Sequence, residues 1–298
     1  MAEANEETGT GDPDGAGPRA LAPGLYLVAT PIGAARDITL RALDILAGAD
    51  ILAAEDTRRT RHLLDIHGIR RDARGLVPYH DHNGAQQRPR LLAALAEGRS
   101  VALVSDAGTP LVADPGYRLA VEAIAAGHKV HAAPGASALL AALAVAGLPT
   151  DRFLFAGFAP PKQAARLRFL GELAAVPATL VFYESPRRLA EALAAMAEVF
   201  GGDRAAAVCR ELTKRFEETR RGTLGDLARA YADEPDPKGE IVVLIGPPVA
   251  GEVGEADLDA ALDAALARLS VKDAAAEVAR ALGLPRRVVY ARALERAG

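Results

Sequence analysis

Val101-Ala102-Leu103-Val104-Ser105-Asp106-Ala107-Gly108-Thr109-Pro110 is the stretch on which the fold class turns. Four apolar residues stop abruptly at small and turn-forming ones. An apolar run this short reads as a strand covered on both faces, the habit of parallel sheets. The same unit recurs on either side. Strand-like runs at 25–29, 50–54 and 129–132 alternate with amphipathic stretches at 38–48, 57–67, 84–97 and 117–126. A second series follows, with strands at 153–156, 178–183, 205–210, 216–222 and 240–245 and helices at 162–174, 186–200 and 224–233. Alternation of this kind predicts an α/β protein with largely parallel, doubly covered sheets. We read residues 1–24, rich in Gly, Pro, Ala and Glu, as a disordered tail. Residues 25–135 and 136–248 form two α/β domains, with Gly147, Pro149 and Asp151 as a hinge. Residues 255–298 are a small helical tail with helices at 257–267, 271–282 and 286–296.

Composition bounds the class. The chain has 298 residues and a formal charge of −4. Residues 1–22 hold five acids (Glu3, Glu6, Glu7, Asp12, Asp14) against Arg19, so the remaining 276 residues balance at 34 of each sign. The acidic total therefore does not exclude a nucleic-acid partner. The single cysteine, Cys209, rules out an internal disulfide. No run approaches the ~20 apolar residues of a membrane span. The first residues lack the basic start and apolar centre of a signal peptide. A soluble, cytoplasmic protein is expected. With no Trp and 4% aromatic residues, there is little material for an aromatic platform that stacks bases.

Three strand ends run into loops suited to a ligand: Thr30-Pro31-Ile32-Gly33, Ser105-Asp106-Ala107-Gly108-Thr109, and Pro134-Gly135-Ala136-Ser137. In an open parallel sheet, ligands sit beyond the carboxyl ends of the strands. Small residues let the backbone come close to a ligand, and Ser, Asp and Thr add polar contacts. Ordinary strand-to-helix turns share these residue types, so it is the number of such loops on one edge that points to a site. None is a GxGxxG or Walker sequence, which excludes those nucleotide fingerprints. In Glu55-Asp56-Thr57-Arg58, Asp56 is expected to cap a helix and Glu55 to orient Arg58 or an adjacent loop. Asp114-Pro115-Gly116 reads as a helix start. His80-Asp81-His82 offers two histidines without a third ligand, so no metal is expected and the segment reads as a polar loop that meets substrate.

From Arg58 to Arg90 there are eight arginines against three aspartates. Such a run is either a solvated helix face or a patch that holds a phosphate backbone. Glu184 with Arg187 and Arg188, and Glu211 with Lys214, read either as structural ion pairs or, for Lys214, as a group that accepts or orients a hydroxyl proton. Residues 271–290 have the outline of a helix-turn-helix, or of a helical cap on the core.

Taken in order, LYLVATPIGAARDIT (25–39), AAEDTRRTRHLL (53–64), HDHN (80–83), ALVSDAGTPLVADPGYRL (102–119), PGASALLAALAVAGLPTDRFLFAGFAPPK (134–162), LVFYESPRRL (180–189), RELTKRFEE (210–218) and KGEIVVLIG (238–246) resemble the motifs of the ribosomal RNA small subunit methyltransferase I family. That family lies in the tetrapyrrole methylase-like superfamily. The resemblance spans 25–246 and continues into the C-terminal helices; it departs at Ala34, where the family pattern has Asn.

The resemblance implies two α/β domains with a cofactor cleft between them. It implies S-adenosylmethionine-dependent 2′-O-methylation of cytidine 1402 in the decoding region of 16S rRNA, within the small ribosomal subunit. It also implies a homodimer. Carried onto this chain, the cofactor residues are Thr30, Pro31, Ser105, Asp106, Ala107, Gly108, Thr109, Pro134, Gly135, Ala136 and Ser137, with Phe158, Glu184, Lys214 and Glu240. Candidate catalytic groups are Glu55, Asp106 and Lys214. Candidate RNA contacts are Arg58, Arg59, Arg61, His80, His82, Arg286 and Arg287. The rival readings are a methyltransferase acting on a tetrapyrrole precursor and a non-catalytic nucleic-acid-binding protein.

Overall fold

A computed structural model describes residues 21–71, 75–80, 82–113, 116–248, 255–282, 284 and 286–297. Residues 1–20 of the expected tail, and Arg74, Asp81, Asp114, Pro115, Gly283 and Pro285 from the expected loops and turns, lie outside the described residues. The chain divides by contact into two units. One holds Met1–Val145, Cys209–Thr219 and Gly239–Val242; the other holds Ala146–Val208, Arg220–Lys238 and Val243–Gly298.

In the first unit, β1 (Gly24–Val28), β2 (Ile51–Ala54), β3 (Leu76–Pro78), β4 (Ser100–Val104) and β5 (Val130–Ala133) form a sheet in the order β3-β2-β4-β1-β5. Every pairing is parallel. The three inner strands β1, β2 and β4 are buried on both faces, as their apolar runs required, whereas the edge strands β3 and β5 each leave a residue exposed. Leu25, Ile51, Ala53, Val101 and Leu103 pack with Leu91 and Leu95 of α3 (Gly84–Ala96) and Leu119 of α4 (Tyr117–Ala125). Tyr26, Val28, Leu52, Ala102 and Val104 pack with Ile45 and Leu46 of α1 (Leu40–Gly48) and Leu64 of α2 (Thr57–Ile66). Thr39 caps α1, its hydroxyl accepting from Ala42 N, and Asp56 caps α2, accepting from Arg58 N. The capping role read for Asp56 is thus observed.

Two elements of this unit escape the sequence reading. The strand β3 has three residues and ends at Pro78 on the sheet edge, too short to show alternation. The helix α5 (Ala138–Val145) is apolar on all sides, so no polar stripe marks it.

The second sheet has the order β6-β7-β10-β8-β9, from β6 (Phe153–Phe158), β7 (Thr179–Glu184), β8 (Ala205–Arg210), β9 (Glu218–Thr223) and β10 (Ile241–Ile245). β6 and β7 are parallel, with a bulge between Phe155 and Gly157. α6 (Gln163–Leu173), α7 (Leu189–Phe200) and α8 (Leu224–Asp233) accompany these strands. Phe182, Leu189, Leu193, Met196 and Leu224 are among the largest fully buried side chains. The helix expected over 186–200 opens with one 3-10 turn, Pro186–Arg188, before α7 begins. The strand expected from Phe216 begins at Glu218, because Phe216 lies 63% exposed in the preceding turn under the Arg215 guanidinium.

Helices α9 (Glu255–Leu266), α10 (Val271–Leu282) and α11 (Arg286–Ala297) close on their own apolar cluster of Leu258, Leu262, Val278, Val289 and Ala293. Asp259 and Asp263 on α9 hold Arg292 and Arg296 on α11.

Candidate methyl-donor site

The three loops singled out from sequence leave the carboxyl ends of β4, β1 and β5, which are neighbours in the first sheet. Their own hydrogen bonds join them. Thr30 and Gly108 form an isolated bridge, each N–H donating to the other's carbonyl at 2.9 and 3.0 Å. The Thr30 hydroxyl donates to Ser105 O and the Ser105 hydroxyl to Gly108 O. Thr109 Oγ1 donates to Ala136 O, tying the second loop to the third. Gly135 sits so near β1 that a Cβ there would lie 2.9 Å from Ala29 Cβ. Leu111 and Ala113, farther along the Ser105 loop, have φ of 72° and 59°, a left-handed region that non-glycine residues rarely adopt.

Thr30, Pro31, Gly33, Ser105 and Asp106 line a depression of about 220 Å3, walled on the other side by Arg59, His62 and Leu63 of α2. Gly33 and Ala35 leave it open to close approach, and Ser105 and Asp106 supply polar atoms. One carboxylate among small and apolar residues fits a ligand that brings hydroxyl and amino groups. At its rim, two strand ends cap one another. Asp106 Oδ1 accepts from Asp56 N at 2.8 Å, and Glu55 Oε2 accepts from Asp106 N at 3.4 Å. Glu55 therefore orients the adjacent loop. Arg58 is held by Asp56, whose carboxyl the Arg58 guanidinium and the Arg58 backbone N–H keep well below the usual carboxylate range.

Lys214 and Glu240 sit apart from those loops in sequence but belong to the same unit. Lys214 Nζ donates to Glu211 Oε1 at 2.8 Å and to Glu240 Oε2 at 3.1 Å. Burial alone would lower its pKa, but the two carboxylates outweigh that and raise it. Burial would likewise raise Glu211, but Lys214 and the Glu240 N–H leave it lowered. Two carboxylates at hydrogen-bond distance thus favour the ammonium form of Lys214.

In the second unit, Glu184 is 4% exposed. Its Oε1 accepts from Ser185 N at 2.7 Å and from Arg188 Nε and Nη2 at 2.9 and 2.5 Å. That is the structural ion pair read from sequence. Phe158, 54% exposed, meets the Tyr183 ring edge-on.

The basic run is only partly available. Arg59 lies 3.5 Å from Asp106, Arg88 pairs with Glu122, and Arg71 caps the C-terminal carbonyls Leu46 O and Ala47 O of α1. Arg61, His82, Arg286 and Arg287 are exposed. His80 is half-buried, with Nδ1 enclosed and unpartnered among the described residues. No group of three or more metal-ligating side chains occurs among the described residues. Sequence reasoning missed Glu211 as a partner of Glu240, Thr213 behind Gly33, and the α2 side chains His62 and Leu63. The placing of these residues depends on tertiary packing.

A parallel sheet with ligand-type loops on one strand edge, followed by a second sheet and a helical unit, is the architecture of a known methylase class. Residues 24–228 match the family model described as Tetrapyrrole (Corrin/Porphyrin) Methylases, and residues 252–297 match the RsmI C-terminal HTH domain. A uroporphyrin-III C-methyl transferase from Thermus thermophilus, solved with S-adenyl homocysteine, shares the fold. Its TM-score is 0.52 at 20% identity, over 74% of this chain and 96% of that one. The ribosomal RNA small subunit methyltransferase I of Mesorhizobium japonicum is 57% identical over 277 residues, 93% of each chain. Its namesake from Pseudomonas aeruginosa is 45% identical over 92% of this chain and 98% of its own. The chain belongs to the ribosomal RNA small subunit methyltransferase I family, and with that it is an S-adenosylmethionine-dependent methyltransferase.

Proposed function

We propose that the chain methylates the ribose 2′-oxygen of cytidine 1402 of 16S rRNA in the small ribosomal subunit, acting as a homodimer. The observation that carries this reading is the bonding of the Thr30, Ser105 and Pro134 loops into one strand-end cradle, in a chain whose relatives bear the rRNA methyltransferase name. Thr30, Pro31, Ser105–Thr109 and Pro134–Ser137 are the residues to hold the methyl donor, with Phe158, Glu184 and Glu240 as further candidates. When bound, S-adenosylmethionine supplies a methyl group already activated by its sulfonium.

The protein's task is then alignment of the attacking oxygen, a contribution that well-oriented intramolecular reactions show to be large. A ribose hydroxyl is a weak nucleophile, so a base assists. Lys214, an ammonium clamped by two carboxylates, has no lone pair to offer and orients instead. Among the remaining candidates we favour Asp106 over Glu55. One Asp106 oxygen is fixed by Asp56 N, while the other has a 3.5 Å contact with Arg59. The arginines Arg58, Arg59 and Arg61, the loop histidines His80 and His82, and Arg286 and Arg287 at the start of α11 supply the phosphate-contacting charge.

Titration calorimetry with S-adenosylmethionine, followed by single-turnover methyl transfer in Asp106→Asn, tests this reading. Transfer that slows about 100-fold in the variant at saturating donor, within the usual span of acid–base assistance, supports it. Absence of donor binding by the wild-type chain overturns the reading, and unchanged transfer in the variant removes Asp106 from the mechanism.

A further inference from the structure

The turn that follows β8 is built against backbone preference. Glu211 and Thr213 have φ of 51° and 63°, in the left-handed region, and neither is glycine. Such conformations persist only where the surroundings over-determine them, and they gather at functional loops. Here the surroundings are polar and specific. Glu211 N donates to Glu240 O, and Glu240 N donates back to Glu211 Oε1, both at 2.9 Å. Thr213 N donates to Glu217 Oε2 at 2.6 Å, and Lys214 N to Glu211 O at 3.0 Å. Gly239, at φ 103°, makes room for the Glu211 carboxylate: a Cβ there would fall 2.3 Å from it.

The other face of the turn backs the loop after β1. Ala34 N donates to Thr213 Oγ1 at 3.1 Å. A Cβ on Gly33 would lie 2.5 Å from Lys214 Cγ, 2.6 Å from Thr213 Oγ1 and 3.0 Å from Leu212 O. Pro31 and Gly33, on the same loop, line the depression described above. All of these residues belong to the first unit. A purely connecting turn would be filled most easily by glycine or asparagine. This one instead carries two side chains that each engage defined partners, Glu211 through Oε1 and Thr213 through Oγ1.

We infer that Glu211 and Thr213 are positioning residues: the Glu211–Lys214 turn is a clamp that fixes the Thr30–Ala34 loop for the methyl donor. The inference rests on the methyl-donor reading above. Thr213 sets the loop through Ala34 N, and Glu211 sets the turn through Glu240 and Lys214. Neither touches the reacting atoms.

The test compares Thr213→Val, which keeps the shape and loses the acceptor, with Thr213→Ser, which keeps the hydroxyl. Two readouts are taken on the full chain: amide hydrogen exchange over residues 30–35 without donor, and calorimetric affinity for S-adenosylmethionine. Thr213→Val is expected to speed exchange at Ala34 and its neighbours and to weaken donor affinity about 10-fold, of the order one lost hydrogen bond gives. Thr213→Ser is expected to restore both to within about twofold of wild type, a rescue that a change in bulk packing would not give. Wild-type donor binding with unaltered exchange and affinity in Thr213→Val overturns the clamp alone. A wild-type chain that binds no donor overturns the reading beneath it, and the positioning role falls with it.

Discussion

Replacing Glu184 by alanine separates structure from ligand contact in the second unit. The carboxylate is almost wholly buried, and one oxygen takes three hydrogen bonds, two of them from Arg188. Removing one member of a buried pair costs about 3–5 kcal/mol, because the remaining charge is left uncompensated. The Arg188 side chain is 27% exposed, so part of its guanidinium regains water, and the lower end, about 3 kcal/mol, is expected. For a chain of this size that lowers the melting temperature by roughly 6–12 °C. Glu184→Gln keeps the shape and an acceptor and is expected to cost about half as much. The double variant Glu184→Ala/Arg188→Ala is expected to be less damaged than the sum of the single changes, as for any directly coupled pair. Urea unfolding followed by circular dichroism reads the wild type, Glu184→Ala, Glu184→Gln, Arg188→Ala and the double variant. A Glu184→Ala loss below about 1 kcal/mol, or strict additivity in the double variant, refutes the ion-pair reasoning.

Gly135→Ala forces a Cβ to 2.9 Å from Ala29 Cβ, so the third loop shifts off β1; calorimetry is expected to show donor affinity reduced about 10-fold. Phe182→Ala empties a fully buried site in the second unit and is expected to lower stability by about 3–5 kcal/mol in urea. The clamp responds to pH at both ends. The Glu211 contribution is complete above the ordinary glutamate pKa near ~4.3 and is lost as pH falls through its lower folded value; the Lys214 contribution is complete below about 10.4 and is lost as pH rises through its higher folded value. The urea midpoints of wild type and Glu211→Gln are therefore expected to differ by a constant amount from about pH 5 to 9 and to converge below about pH 4.

The inner strands of the first sheet were legible because they are buried on both faces. Leu25–Val28 and Val101–Val104 are continuous apolar runs between amphipathic helices, and that pattern has few other solutions. Thr30, Ser105 and Gly135 stood out because small and turn-forming residues follow those runs directly. Short β3 and all-apolar α5 carry no period for a reader to find. The clamp was hidden for a different reason. Glu211 and Thr213 have no local mark of a left-handed backbone, and their partners Glu240 and Ala34 lie 29 and 179 positions away in sequence. Glu184 shows that a motif can be located while its role stays open: the sequence put it beside Arg188, and only burial shows how completely one carboxylate oxygen is engaged. The donor itself was named by resemblance to a family. Spacing identified loops for some ligand and stopped there.

The most direct test is methyl transfer from labelled S-adenosylmethionine to three acceptors: small ribosomal subunits lacking the modification, naked 16S rRNA, and a tetrapyrrole precursor. The proposed ribose methylation predicts label in a ribosomal substrate, at the ribose of one cytidine in the decoding region. Label on the tetrapyrrole alone, or no transfer to any acceptor by a chain that binds the donor, would contradict it.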